Sequence, residues 1–73
     1  MRVVVIGATG NAGTSVLAAL GADDAVTSIL GVARRLPTGT FAKTEFVAAD
    51  ITRADLVPLL EGADAVVHLA WLI

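Results

Sequence analysis

The stretch Val3–Gly13, VVVIGATGNAG, decides the fold of this chain. Its first four residues are apolar and β-branched, which is typical of a strand buried on both faces of a parallel sheet. Gly7, Gly10 and Gly13 follow at regular spacing, and a helix-like segment, Thr14–Leu20, comes next. The pattern therefore predicts a strand, a glycine-rich turn and a helix in direct succession.

Each glycine of this turn meets a different steric need. Gly7 lets the chain leave the strand sharply, and Gly10 removes a side chain that would collide with phosphates. Gly13 lets the helix pack close to the sheet. The helix then offers backbone N–H groups and the positive end of its dipole to phosphate oxygens. The turn is therefore a candidate site for the pyrophosphate of a dinucleotide.

The sequence leaves one other interpretation of the glycine turn open and excludes a second. The spacing here is G-x-x-G-x-x-G rather than the commoner G-x-G-x-x-G, and a glycine-rich loop that binds nothing stays an alternative. A Walker A phosphate loop is excluded, because no Gly-Lys-Ser/Thr follows at the required offset.

Strands and helices alternate along the chain. Strands are expected at Arg2–Ile6, about Val26–Ala33, Thr44–Ala48 and Ala65–Trp71. The connection between the second and third strands is short, and its proline and glycine argue against a helix there. The alternation predicts an α/β fold, a doubly wound parallel sheet of about four strands in the order 3-2-1-4 with two helices.

The ends of the two helices have their own signals. The first helix is expected to end at Gly21 in the left-handed conformation that glycine favours. The second is expected between Asp50 and Gly62 and to end at Gly62. Its start is open: Asp55 is a candidate cap, and Pro58 then falls in the first turn, where its missing N–H costs little.

Composition limits the classes of function. The net charge of −2 gives no electrostatic case for nucleic acid, and the absence of cysteine excludes disulfides and thiolate metal sites. No apolar run reaches the ~20 residues of a membrane span, so a cytoplasmic protein is expected. Apolar residues make up 56% of a 73-residue chain, which predicts a core completed by residues outside it.

Arg34 and Arg35 stand at the end of the expected second strand, where NAD-preferring folds carry an acidic residue for the ribose 2′-hydroxyl. A guanidinium there would pair instead with a 2′-phosphate, which favours NADP over NAD. Two solvated surface arginines are the alternative. His68, inside an apolar strand, is interpreted as a core residue rather than a catalyst, and Trp71 as a packing residue.

Together these segments resemble the extended and atypical short-chain dehydrogenase/reductase superfamily, particularly NAD-dependent epimerase/dehydratase-like proteins. The matching stretches are GATGNAG at 7–13, VARR at 32–35, ADI at 49–51 and GADAVVHLA at 62–70. The resemblance implies a Rossmann-like fold in which residues 1–73 form the N-terminal part of an NAD(P)-binding domain. The catalytic Tyr-x-x-x-Lys pair of that family has no match, because the chain contains no tyrosine.

The resemblance also assigns roles to residues. Backbone amides of Asn11 and Ala12 would hold the pyrophosphate, and Arg34 or Arg35 the 2′-phosphate. Asp50 and Ile51 would hold adenine; Asp50 is equally well explained as a helix cap. The complete expected cofactor set is Gly7, Thr9, Gly10, Asn11, Ala12, Gly13, Arg34, Arg35, Asp50, Ile51, Leu69 and Ala70.

Three functions follow as alternatives. The chain is the cofactor-binding part of an oxidoreductase or epimerase, a dinucleotide-sensing module without turnover, or an inactive truncated product. In each case the isolated chain is expected not to catalyse redox chemistry, because it lacks the family's proton donor. The strand Ala65–Trp71 would lie unpaired at a sheet edge, so self-association or aggregation is expected.

Overall fold

The computed structural model describes residues 1–8, 11–35, 39–49 and 57–69. Four strands form one parallel sheet in the order β3-β2-β1-β4, as the sequence predicts. The elements are β1 (Arg2–Ile6), α1 (Asn11–Gly21), β2 (Ser28–Ala33), β3 (Thr44–Ala48), α2 (Val57–Leu60) and β4 (Ala65–His68).

The central strand β1 explains the apolar run that opens the chain. It pairs with β2 on one side and with β4 on the other, so Val4 lies between Leu30 and Val66. Val4 and Val5 have no exposed surface, although they point to opposite faces of the sheet. A central parallel strand covered on both faces needs apolar residues at every position, not at alternate ones.

Two apolar clusters lie on the two faces of the sheet. On one face Val3, Val5 and Ile29 pack with Leu17 of α1, and we call this the α1-side core. On the other face Val4, Ile6 and Val32 pack with leucines of α2, and we call this the α2-side core. The helices therefore cover opposite faces, which confirms the doubly wound architecture. The strand order reverses between β1 and β4.

The short connection from β2 to β3 contains no helix among its described residues, as expected. An aromatic pair instead covers this end of the sheet: the rings of Phe41 and Phe46 meet edge to face, with centroids 5.9 Å apart and an interplanar angle of 65°. Both rings pack against the α1-side core. An edge-to-face pair of this kind is a favourable arrangement of two aromatic rings.

The first residues of β2 and α1 differ from the sequence predictions. β2 begins at Ser28 rather than at Val26, because the Val26 N–H donates to the Asp23 carbonyl at 3.0 Å and closes a turn. Val26 is nevertheless buried, so its apolar character reflects the core and not the strand. α1 begins at Asn11, three residues before the predicted Thr14.

The ends of the two helices compare differently with the sequence predictions. Gly21 is the last residue of α1 but does not have a positive φ, so the left-handed cap is wrong there. A Cβ on Gly21 would lie 3.2 Å from the Cβ of Ala42, so glycine at this position allows Ala42 to pack closely against the end of α1. Gly62 does have the left-handed conformation, with φ 76°, and follows α2 as predicted.

The described part of α2 is one turn, with Pro58 as its second residue, and the start of the helix lies outside the described residues. Asp55 lies outside the described residues. β4 ends at His68, short of the predicted Trp71, which also lies outside them. Even so, the Leu69 N–H still donates to the Ile6 carbonyl at 2.8 Å.

Candidate functional site

The carboxyl ends of three neighbouring strands meet at one edge of the sheet. In the register of the sheet Ile6, the last residue of β1, lies between Val32 and His68. The glycine turn follows β1 here, and the two arginines directly follow Ala33, the last residue of β2. Open α/β sheets bind ligands in the crevice at the carboxyl ends of the strands, where the strand order reverses. The glycine turn stands at that point.

The start of the glycine turn is attached to β2. Gly7 has φ 83°, which confirms the sharp departure from β1. The N–H groups of Gly7 and Ala8 both donate to the carbonyl oxygen of Val32, at 2.8 and 3.3 Å. These two amides are therefore occupied within the protein, whereas the N–H groups at the start of α1, which begins at Asn11, can face an anion.

Gly13 joins α1 to the turn by a very close approach. A Cβ at this position would lie 2.5 Å from the carbonyl oxygen of Ala8 and 2.6 Å from that of Gly7. Real side chains do not tolerate such separations, so any other residue at Gly13 would force α1 away from the turn. The predicted close packing of Gly13 is confirmed, and its partner is the backbone of the turn itself.

Apart from the two arginines and Asn11, which begins α1, the remaining predicted residues fall into two groups. Ala12 is exposed in the first turn of α1, and Leu69 is half-buried against the α1-side core just after β4. Both are at the same sheet edge as the glycine turn. Outside the described residues lie Thr9, Gly10, Asp50, Ile51 and Ala70.

Arg34 and Arg35 are exposed directly after β2. Exposure leaves their guanidinium groups accessible to an anion without any loss of packing. Their position at the carboxyl end of β2 is the one the sequence predicts. The structure brings this cationic pair and the glycine turn to one edge of the sheet, because β1 and β2 are adjacent and parallel.

His68 is not the core residue that its apolar surroundings predicted. It is exposed, and so is Val66, with 46% of its surface accessible. Both alternate along β4 with Ala65 and Val67, which pack against the α1-side core. β4 is an edge strand among the described strands, and Val66 and His68 are exposed there although they lie on the same face of the sheet as the α2-side core.

Val32 is a site residue that sequence reasoning missed. Its carbonyl oxygen anchors the turn, and this role belongs to the backbone, so no side-chain pattern could have revealed it.

Within the described ranges there is no group of three or more residues able to hold a metal ion. In that same portion of the chain no helix has the length and apolarity to cross a membrane.

Comparison with known families and proteins agrees with this geometry. The model of the NAD dependent epimerase/dehydratase family matches residues 3–73. Uncharacterized proteins from Mycobacterium bovis and Mycobacterium tuberculosis are each 38% identical over 72 residues. That match takes in 97% of this chain but 8% of each relative, so the chain spans a small part of the relatives' length.

Solved structures share the same arrangement of strands and helices. UDP-glucuronic acid 4-epimerase from Bacillus cereus, solved in complex with NAD, is 26% identical with a TM-score of 0.81. The match covers 100% of this chain and 28% of the epimerase. The oxidoreductase ylbE from Lactococcus lactis is 25% identical with a TM-score of 0.81, over 99% of this chain and 33% of that one.

Proposed function

Because this chain belongs to the NAD-dependent epimerase/dehydratase family, we propose that it binds a nicotinamide dinucleotide at the carboxyl edge of its sheet. One observation carries the proposal. The glycine turn is attached to β2 through Val32 and packed against α1 through Gly13, at the point where the strand order reverses. A phosphate placed at the start of α1 would meet backbone N–H groups and the positive end of the helix dipole.

The pyrophosphate is assigned to the amides of Asn11 and Ala12. The amides of Gly7 and Ala8 are already bonded to Val32, so Gly7 contributes shape and not a donor. The proposed turn is completed by Thr9, Gly10 and Gly13. On the adenosine side, the proposed contacts come from Asp50, Ile51, Leu69 and Ala70.

NADP is proposed as the preferred cofactor. Arg34 and Arg35 are exposed at the carboxyl end of β2, where the ribose 2′ position is expected to lie. The guanidinium group of Arg34 or Arg35 would pair with a phosphate dianion through charge-assisted hydrogen bonds. The Bacillus cereus epimerase was solved with NAD, so this chain is proposed to differ from it in cofactor preference.

The proposed role of the 73 residues is binding without turnover. The chain spans 28% of the Bacillus cereus epimerase, and we infer that it acts as the cofactor-binding part of an epimerase-, dehydratase- or reductase-like protein in the cytoplasm. It contains no tyrosine to serve as the proton donor for hydride transfer to a carbonyl. A sensing module without turnover is the second candidate.

Amide-resolved NMR on the dilute chain tests the site directly. NADP⁺ should shift the resonances of Ala12, Arg34 and Leu69, all at the carboxyl edge. Amides at the opposite edge, such as those of Thr27 and Asp64, serve as internal controls and should not move. Nicotinamide riboside, which lacks both the phosphates and the adenosine half, should cause no shift. If neither NADP⁺ nor NAD⁺ shifts the carboxyl-edge amides, the proposed function is wrong.

Turnover is tested separately by following NADPH absorbance with a panel of aldehydes and ketones. No oxidation above the rate without protein is expected from the chain alone. Oxidation that depends on both the chain and a carbonyl compound would refute binding without turnover and leave the binding proposal standing.

A further inference from the structure

We propose that Gly31 is a positioning residue for the dinucleotide site, because its missing side chain leaves the space in which Ala8 of the glycine turn lies. The inference rests on the proposed function and extends it to a residue outside the glycine motif. A glycine inside a strand weakens the strand and often marks a place where another part of the chain approaches closely. Gly31 is such a place.

The contacts around Gly31 are tight on one face of the sheet. In the middle of β2 Gly31 pairs with Val5 of β1 and with Phe46 of β3. A Cβ built on Gly31 would lie 2.7 Å from Cδ1 of the Phe46 ring and 3.2 Å from the Cβ of Ala8. A methyl group at Gly31 would therefore press on the aromatic ring and on the glycine turn together.

The turn has little room to yield to such pressure. Ala8 is fully buried, and its N–H already donates to Val32, the residue after Gly31. On its other side the Ala8 carbonyl oxygen faces Gly13, where a Cβ would come within 2.5 Å. A displacement of Ala8 would be passed through Gly13 to the start of α1, which is the proposed pyrophosphate site.

Because both dinucleotides contain the pyrophosphate, a change at its site should affect both affinities equally. Gly31→Ala should weaken NADP⁺ and NAD⁺ by the same factor, about threefold to tenfold for a shift of a fraction of an ångström. The ratio of the two affinities should stay as in the wild-type chain. Affinity for 2′-AMP, which has no pyrophosphate, should not change. A loss caused by general unfolding would affect all three ligands.

A double-mutant cycle separates the two neighbours of Gly31. Removing the Ala8 methyl in Gly31→Ala/Ala8→Gly should restore most of the dinucleotide affinity, measured against Ala8→Gly alone. The matched control Gly31→Ala/Phe46→Leu relieves the ring contact only and should remain weak. If the Phe46→Leu control restores affinity as fully as Ala8→Gly does, the proposed route through Ala8 is wrong.

A readout without ligand keeps this inference separate from the proposed function. In the free chain Gly31→Ala should shift the amide resonances of Ala12 and Gly13, and Ala8→Gly should reverse the shift. Unshifted resonances in folded Gly31→Ala would overturn the inference even if the wild-type chain binds NADP⁺. Shifted resonances in a chain that binds neither dinucleotide would show that the coupling exists and that the assignment of the ligand is wrong.

Discussion

The carbonyl oxygen of Val32 accepts the N–H of Gly7 at 2.8 Å, across the boundary between β2 and the glycine turn. The turn is therefore held by two strands, β1 from which it emerges and β2 beside it. Anchoring Gly7 and Ala8 in this way would lower the free-energy cost of ordering them when the proposed ligand binds. This relationship brings the start of the glycine motif next to the strand from which the two arginines emerge.

The first prediction concerns the middle glycine of the motif. Gly10→Val should abolish NADP⁺ binding, because the side chain would occupy the pyrophosphate position, with little effect on helix content. The matched control is Gly39→Val, since a Cβ on Gly39 would have no atom within 4 Å. Ligand-observed NMR titrations and circular dichroism measure the two effects. Equal affinities for the Gly10 variant and the wild-type chain would refute the site.

The second prediction concerns the choice of cofactor. Replacing Arg34 and Arg35 together by alanine should weaken NADP⁺ by about 1.5–3 kcal/mol and leave NAD⁺ nearly unchanged. The matched control is Arg2→Ala, because Arg2 begins β1 and so lies at the opposite end of the sheet. Competition titrations with the two dinucleotides give both affinities. A wild-type chain that binds NADP⁺ and NAD⁺ equally would contradict the assignment.

The third prediction concerns Lys43, which has a φ of 60° although it is not glycine. Its ammonium group donates to the carbonyl oxygens of Asp23 and Val26, at 3.1 and 2.9 Å. Lys43→Ala keeps the unfavourable φ and loses both hydrogen bonds. The free energy of local unfolding in this region should therefore fall by about 1 kcal/mol. The amide of Val26 should then exchange with solvent about fivefold faster.

Lys43→Gly is the matched control for that prediction. It loses the same two hydrogen bonds but relieves the positive φ, so its effect on exchange should be smaller than that of Lys43→Ala. Hydrogen exchange followed by NMR measures both variants. Unchanged exchange at Val26 in Lys43→Ala would show that the ammonium bonds contribute nothing in solution.

The fourth prediction concerns the edge of the sheet at β4. Among the described strands it pairs only with β1, and Val66 is 46% exposed, so the isolated chain is expected to self-associate through the edge. Val66→Lys should reduce the association, since a charge on an edge strand opposes pairing with another chain. Val57→Lys, at a more exposed valine on α2, is the control and should have a weaker effect.

Sedimentation velocity over a range of chain concentrations measures this association. A wild-type chain that is monomeric at every concentration, with cooperative unfolding, would show that the prediction is wrong.

Much of the fold was determined by the sequence alone. The continuous apolar run at Val3–Ile6 predicts a central strand, because only a strand covered on both faces needs apolar side chains at every position. The alternation of strands with helices, and the glycine turn after the first strand, predict the observed order of the sheet. These inferences depend on patterns within short segments, which the sequence contains in full.

Other features were decided by tertiary structure, because they depend on contacts between residues distant in the chain. Gly21 lies against Ala42, and the edge position of β4 leaves His68 exposed where its apolar neighbours suggested burial. The hydrogen bonds of the glycine turn to Val32 and the close approach of Ala8 to Gly31 belong to this class too. A sequence pattern shows which residues prefer the interior, whereas packing decides which of them meet there.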